Sequence, residues 1–248
     1  MKTDKSRIIA VIPARFRSTR LPGKPLADIC GKPMIQWVYQ SVCGAKGVDR
    51  VIVATDNTQI FESVKSFGGE AMMTPESLLS GTDRVAAVAD QTDADVYVNV
   101  QGDEPLMESH TIEAALSLVT QGHFEMASAM TPLLSNSELE NRSVVKALAD
   151  KEGRALYFSR FPIPYSRQPA SGPFSCYRHL GLYVYRRSTL FKIRSLPLSP
   201  LEVGECLEQL RALENGISIG LAKVDSVSVG VDTPEDLEVV RERMRNAL

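Results

Sequence analysis

The sequence predicts an α/β fold, a mostly parallel sheet with helices on both faces. Two observations carry this. Three short, nearly unbroken apolar runs, RIIAVIP near the start, RVIVAT at 50–55 and DVYVNVQ at 95–101, have the pattern of strands buried on both faces. The segments between them show helical periodicity and helix punctuation. Strand and helix therefore alternate, as they do where crossover helices join parallel strands.

The elements follow in order. After the first strand, Pro33 opens a helix in which Ile35, Val38 and Val42 recur at near-helical spacing. TDNTQIFESVKSFGG is a strand end, a helix and a glycine cap at Gly68 or Gly69. The helix at 82–91 starts on Thr82, an N-capping residue type. Near residue 150 the composition changes. SVVKALADKEGRALYFSR predicts two strands joined by a turn at Asp150–Gly153, and FPIPYSRQPASGPFSCYR, with four prolines, an extended loop or lid. HLGLYVYRRSTL is a strand running into a helix. SPLEVGECLEQLRALENG predicts one helix with a stripe of Leu201, Cys206 or Leu207, Leu210 and Leu213, ended by Gly216. ISIGLAKV returns to a strand, and a helix capped by Thr233, with Pro234 at its first position, closes the chain.

Composition narrows the function classes. The 248 residues are 44% hydrophobic and 23% charged, with 28 Lys and Arg against 30 Asp and Glu. That balance argues against nonspecific nucleic-acid or membrane-surface binding, so any basic site must be local. No apolar run approaches the ~18 residues a membrane helix needs, and the N-terminus does not have the pattern of a signal peptide. Cys30, Cys43, Cys176 and Cys206 are scattered without zinc spacing, as expected of reduced thiols in a cytoplasmic protein.

One segment breaks the charge balance. IPARFRSTRLPGKPL puts Arg15, Arg17, Arg20 and Lys24 just after the first strand, where open α/β sheets bind ligands. With Gly23 allowing close backbone approach, this loop suits a polyphosphate, although it matches neither GxGxxG nor GxxxxGK[ST], since Pro25 follows the GK. A solvated basic loop around a Pro22–Gly23 turn is the plain alternative. NVQGDEPLM places Asp103 and Glu104 at the same edge. Mg²⁺ between carboxylate and phosphate is one reason to put acids there, and a helix cap is another. Asp232, in SVGVDTPEDL, taken alone has the pattern of a cap. Ser80, Gly81 and Thr82 start a helix whose N–H groups could meet a base or phosphate, or could simply be capped. Arg160, Arg178, His179 and Tyr185 suit an acidic substrate, with a satisfied strand histidine as the alternative for His179. His110 and His123 read as surface residues, and Trp37 and Tyr39 as core or surface rather than base-stacking groups.

Taken together, IPARFRSTRLPGKPL, GKPMIQWVY, VIVATD, SGTDR, VNVQGDEP, ALYFSRFPIPYSR, RHLGLYVYR, LEQLRALENG and GVDTPEDL resemble, in order and from residue 8 to about 243, the 3-deoxy-manno-octulosonate cytidylyltransferase (CMP-Kdo synthetase) family of lipopolysaccharide assembly. The resemblance implies a Rossmann-like, GT-A-like nucleotidyltransferase domain spanning 1–248. Residues 1–150 would form a CTP-binding half and 151–225 a smaller mixed β/α subdomain for sugar binding and dimerisation. Residues 226–248 would return to the core with a metal-site aspartate and the C-terminal helix. It implies a cytoplasmic homodimer that transfers CMP from CTP to 3-deoxy-D-manno-octulosonate (Kdo), releases pyrophosphate, and uses Mg²⁺ but no organic cofactor. Carried over by position, Arg15, Lys24, Asp103 and Asp232 are catalytic, and Asp103 and Asp232 hold the metal. Pro13, Ala14, Arg20, Ser80, Gly81, Thr82 and Arg84 join Arg15, Lys24 and Asp103 around the nucleotide. Gln101, Arg160, His179, Tyr185, Glu208 and Gln209 line the sugar pocket, with Arg160 and His179 facing its carboxylate. The chain has Val203–Gly204 where many relatives carry a larger polar residue, which keeps an 8-amino form of the sugar, or another acidic keto-sugar, as an alternative. Sialic-acid cytidylyltransferases share IPAR but continue with a Gly-Ser-Lys-Gly type of loop.

Overall fold

The computed structural model describes residues 6–17, 20–78, 80–165, 167, 176–226 and 229–247. In chain order its elements are β1 (Ile8–Ala14), β2 (Asp28–Ile29), β3 (Lys32–Pro33), α1 (Met34–Cys43), β4 (Arg50–Thr55), α2 (Thr58–Ser66), β5 (Ala71–Met73), α3 (Gly81–Gln91), β6 (Val96–Val100), α4 (Ser109–Thr120), β7 (Met126–Pro132), α5 (Asn136–Glu140), β8 (Lys146–Ala149), β9 (Ala155–Ser159), β10 (Cys176–Arg186), α6 (Arg187–Ser195), α7 (Pro200–Glu205), α8 (Gln209–Glu214), β11 (Ile219–Lys223) and α9 (Pro234–Ala247).

The sheet order is β11-β7-β10-β6-β1-β4-β5, with β8 paired to β10 and β9 to β8. β1 pairs in parallel with both β4 and β6, β4 with β5, and β11 with β7, whereas β10 runs antiparallel to β6, β7 and β8. The expected mostly parallel sheet is present, with one reversed strand through its middle. Along β1, Ile8, Ala10 and Ile12 enter a core shared with α1, α2 and α4, while Ile9 and Val11 enter a second core with α3, α6 and α8. Helices therefore cover both faces, which explains why these strands are apolar throughout. A third cluster, with Ile29, Met34, Leu237 and Val240, seats α9 on the β2–β3 hairpin.

Two local expectations are corrected. The helix cap at α3 is Ser80, not Thr82: Ser80 Oγ accepts from the Asp83 N–H at 3.1 Å, and the Asp83 carboxylate accepts from the Ser80 N–H at 3.2 Å. Both residues are good caps, but only Ser80 has an acid three positions on. The single helix expected over 200–216 is two short helices, α7 and α8, separated by Cys206 in the left-handed region at φ 53°. The break leaves Leu201 exposed and buries Leu207 and Leu210. Within the proline-rich stretch, Ser166 and residues 168–175 lie outside the described residues, and so do Ser18, Thr19, Leu79, Val227 and Ser228 in the loops discussed above.

Candidate active site

The carboxyl ends of β1 and β6 lie side by side and carry the first site residues. Gly102 permits this approach, because a Cβ there would come within 2.7 Å of the Pro13 carbonyl. After β1 the chain loops back on itself. The Gly23 N–H donates to the Phe16 carbonyl at 3.0 Å, and Gly23, at φ 69°, opens a one-turn 3₁₀ helix at Lys24–Leu26. That turn presents Lys24 to the end of β6. Its ammonium donates to Asp103 Oδ2 at 2.6 Å and to Asp232 Oδ1 at 3.2 Å. Burial alone would lower the Lys24 pKa, but the two carboxylates outweigh it and the value is raised.

Neither aspartate is a helix cap. The helix after Asp103 does not begin until Ser109. At α9 the cap is a reciprocal pair: Thr233 Oγ1 accepts from the Asp236 N–H at 3.2 Å while Asp236 Oδ2 accepts from the Thr233 N–H at 2.9 Å. That leaves the Asp232 carboxylate to Lys24 and to Arg20, whose guanidinium lies 3.1 Å away. A bond from the Val231 N–H to the Asp103 carbonyl, 2.9 Å long, keeps the two aspartates together.

Around this cluster lie two cavities. One, of about 430 Å³, is lined by Pro13, Ala14, Arg15, Lys24, Ser80 and Gly81 among others. The second, of about 680 Å³, is lined by Arg160, Arg178, His179, Tyr183 and Gln209 among others. Arg20, Gln101, Asp103 and Glu208 belong to both, so the acid–ammonium cluster stands where the cavities meet. In the smaller cavity, Arg15 Nη2 is buried with no hydrogen-bond partner among the described residues. Burial and the neighbouring charge of Arg84 lower the Arg15 pKa. A desolvated guanidinium with a free donor suits an anion. Arg17, by contrast, pairs with Glu76 at 2.9 Å in the open.

Several predicted residues sit differently from expectation. Arg84 is fully buried and bonds Thr74 Oγ1 at 2.6 Å and the Asp56 carboxylate, which puts it behind the cavity wall rather than in it. Thr82 donates to Glu208 at 2.6 Å. Tyr185 is only 2% exposed and does not line the second cavity; Tyr183 does, and its hydroxyl donates to Gln209 Oε1 at 2.9 Å. Both tyrosines project to the same face of β10. Tyr183 is opposite Asn99 near the strand ends, while Tyr185 is opposite Tyr97, deeper in the sheet.

His179 lines the second cavity as a desolvated imidazole. Burial pushes its pKa down to about 3. Its Nε2 lies 2.8 Å from Ser128 Oγ, which also lies 2.6 Å from the Leu182 carbonyl. A carbonyl can only accept, so the single hydroxyl proton goes to Leu182 and His179 Nε2–H donates to Ser128. The ring is neutral, with its lone pair on Nδ1. Arg160 donates through Nε to the Glu205 carbonyl at 2.8 Å, and Arg178 pairs with Glu138 at 3.4 Å. Gln209 Nε2 is buried without a partner among the described residues. Tyr183, Glu138 and Ser128 were not foreseen; strand alternation along β10 was the signal that could have found Tyr183. His110 and His123 are exposed, as expected.

A cytidylyltransferase family model matches residues 9–219. The 3-deoxy-manno-octulosonate cytidylyltransferase of Syntrophotalea carbinolica is 50% identical over 96% of this chain and 98% of its own. That of Geobacter sulfurreducens is 46% identical over 96% and 99%. The chain belongs to the 3-deoxy-manno-octulosonate cytidylyltransferase family. A solved member, a CMP:2-keto-3-deoxy-manno-octonic acid synthetase complexed with CTP, superposes with a TM-score of 0.92 at 42% identity, covering 98% of this chain and 100% of that one. The family's Rossmann-like nucleotidyltransferase fold accommodates both cavities at the carboxyl edge of the sheet.

Proposed function

We propose that the protein transfers CMP from CTP to Kdo and releases pyrophosphate, with the nucleotide in the smaller cavity and the sugar in the larger. One observation carries the reading: Lys24, Asp103 and Asp232 form a single charged cluster at the junction of two cavities, beside Arg15, whose buried Nη2 has no partner among the described residues. Arg15 and Lys24 hold the triphosphate. The anomeric hydroxyl of the sugar attacks the α-phosphorus from the larger cavity. The new P–O bond forms as the bond to the β-phosphate oxygen breaks, pyrophosphate leaves with that electron pair, and the hydroxyl proton is lost. Binding both substrates across one wall supplies the proximity, and the fixed cations stabilise the charge that develops on the phosphates. The step needs no covalent enzyme intermediate.

The donor set at the junction fits Mg²⁺. Asp103 and Asp232 converge closely enough to share one ammonium, and two carboxylates are the protein share Mg²⁺ commonly takes when phosphate oxygens supply the rest. These two residues would hold the ion, which would neutralise triphosphate charge and polarise the α-phosphate. On the sugar side, Arg160 and the Gln209 Nε2 donor suit the carboxylate, while neutral His179 suits a hydroxyl. We further propose a homodimer, on the strength of exposed Leu156 and Phe161 at the edge strand β9. A cytoplasmic location is in keeping with four unpaired cysteines and with the described residues including no helix long and apolar enough to cross a membrane. The test is pyrophosphate release from CTP and Mg²⁺ with Kdo, 8-amino-Kdo or sialic acid. Release with Kdo is expected, and no release with any of the three overturns the reading.

A further inference from the structure

Lys146 is a charged residue that the reaction does not use, yet its side chain is fully buried. Its ammonium has three donors, and all three are taken by main-chain carbonyls: Asn141 at 2.9 Å, Val144 at 2.7 Å and Arg160 at 2.6 Å. These carbonyls come from two separate segments, the 141–144 connection between α5 and β8, and the end of β9. Both segments line the larger cavity, through Asn141, Ser143, Val144 and Arg160. A fourth bond runs the other way, from Arg160 Nη1 to the Arg142 carbonyl at 3.2 Å. Carbonyls 141, 142 and 144 are thus all held by two cations from neighbouring strands.

No other side chain could do this. An ammonium is the side-chain group with three donors and no acceptor, and its flexible stem reaches three converging carbonyls where a planar guanidinium would not. Burying a cation is expensive unless it is fully bonded, as it is here. Burial lowers the Lys146 pKa, and Cys176, Glu140 and Glu205 pull it back. The strand register extends the pattern. Lys146 is directly opposite Ser159 on β9 and Arg178 on β10. Ser159 bonds Glu205 of α7 at 2.6 Å, and Arg178 pairs with Glu138 of α5. One row across three strands therefore ties down α5 and the 141–144 segment, which line the larger cavity, and the end of α7, which leads into the lining residues Cys206–Gln209.

We propose that Lys146 is a positioning residue for the sugar: its buried ammonium fixes the 141–144 segment and Arg160 in the shape that receives the acidic sugar, with no part in holding the nucleotide. The proposal rests on the larger cavity being the sugar site. It is tested by steady-state kinetics on the full-length protein carrying Lys146→Met and on one carrying Lys146→Gln, which keeps two of the donors. With Kdo as the varied substrate KM should rise about 10-fold or more in Lys146→Met and less in Lys146→Gln, while KM for CTP stays within about two-fold of wild type in both. A parallel rise in both KM values, or an unchanged KM for Kdo, overturns it. Should neither variant show a cooperative thermal transition, ¹⁵N NMR of the lysine ammonium groups in the wild-type protein decides. A slowly exchanging Lys146 signal that shifts with Kdo and not with CTP is expected, and a signal insensitive to Kdo overturns the proposal. Failure of the wild-type enzyme with every sugar would instead refute the reading of the cavity itself.

Discussion

The cavity around Arg15 and Lys24 hangs from the ends of parallel strands and the start of α3, whereas the cavity around Arg160 and Tyr183 is walled by an antiparallel ribbon, the short helices α5 and α8, and α9. The first is rigid by topology: β1 and β6 are buried on both faces, and their ends are pinned by Gly102 and the Lys24 turn. The second is held by polar links instead, from Lys146, Arg178, Ser159 and Arg160. A triphosphate presents much the same charge in every nucleotide-using enzyme and can be met by a fixed frame. A sugar has to be told from its near relatives, and irregular segments tied by side chains are where such differences can be built.

The widest separation between the two regions should appear at their junction. Asp103→Asn is expected to cut kcat/KM by about 10³-fold with Tm nearly unchanged, because Asp103 serves charge rather than packing; wild-type turnover of CTP would remove it from the site. Lys24→Ala should cost roughly 2–4 kcal/mol in kcat/KM, since it lies against both aspartates, and kinetics with CTP varied would show an unchanged value if it belonged to neither region.

His179 gives a sharper test on the sugar side. Its native pKa near 3 is below the ~6.5 of an unfolded chain, so between those values the unfolded state binds more protons. This residue's contribution is therefore fully present above pH ~6.5 and is lost as pH falls toward 3. Thermal melts at pH 5 should find His179→Gln relieved of about 2 kcal/mol of that acid sensitivity. An equal pH slope in both proteins would mean that His179 titrates normally. The smallest effects concern the two tyrosines. Tyr183→Phe should raise KM for the sugar by about 5–10-fold by freeing Gln209, while Tyr185→Phe should leave KM alone and lower stability by about 1 kcal/mol. A reversed order would restore Tyr185 to the cavity.

The first region was the more legible in the sequence for a physical reason. A strand buried on both faces is an apolar run with an abrupt end, so Arg15, Lys24 and Asp103 could be put at one edge from their distance past Ile12 and Val100. Asp232 needed more, because its neighbours Thr233 and Asp236 disguise it as part of a helix cap; the structure shows that they form the cap themselves. The second region hid behind tertiary choices. Tyr183 and Tyr185 differ only in depth along β10, which is set by register with β6. The break at Cys206 puts a non-glycine residue at positive φ, which no local pattern announces. Lys146 looks like any strand-edge lysine until the carbonyls of Asn141, Val144 and Arg160 turn out to converge on it.

The reversed strand has a consequence for how the chain is made. β6 and β7 follow one another in sequence but do not pair; the gap between them is filled by β10, whose residues 176–186 are translated much later. Any sheet that formed before β10 was available would leave the edges of β6 and β7 open. Such edges invite pairing with other chains. The larger cavity, lined by Arg178, His179, Gly181 and Tyr183, cannot be completed before that strand closes the sheet.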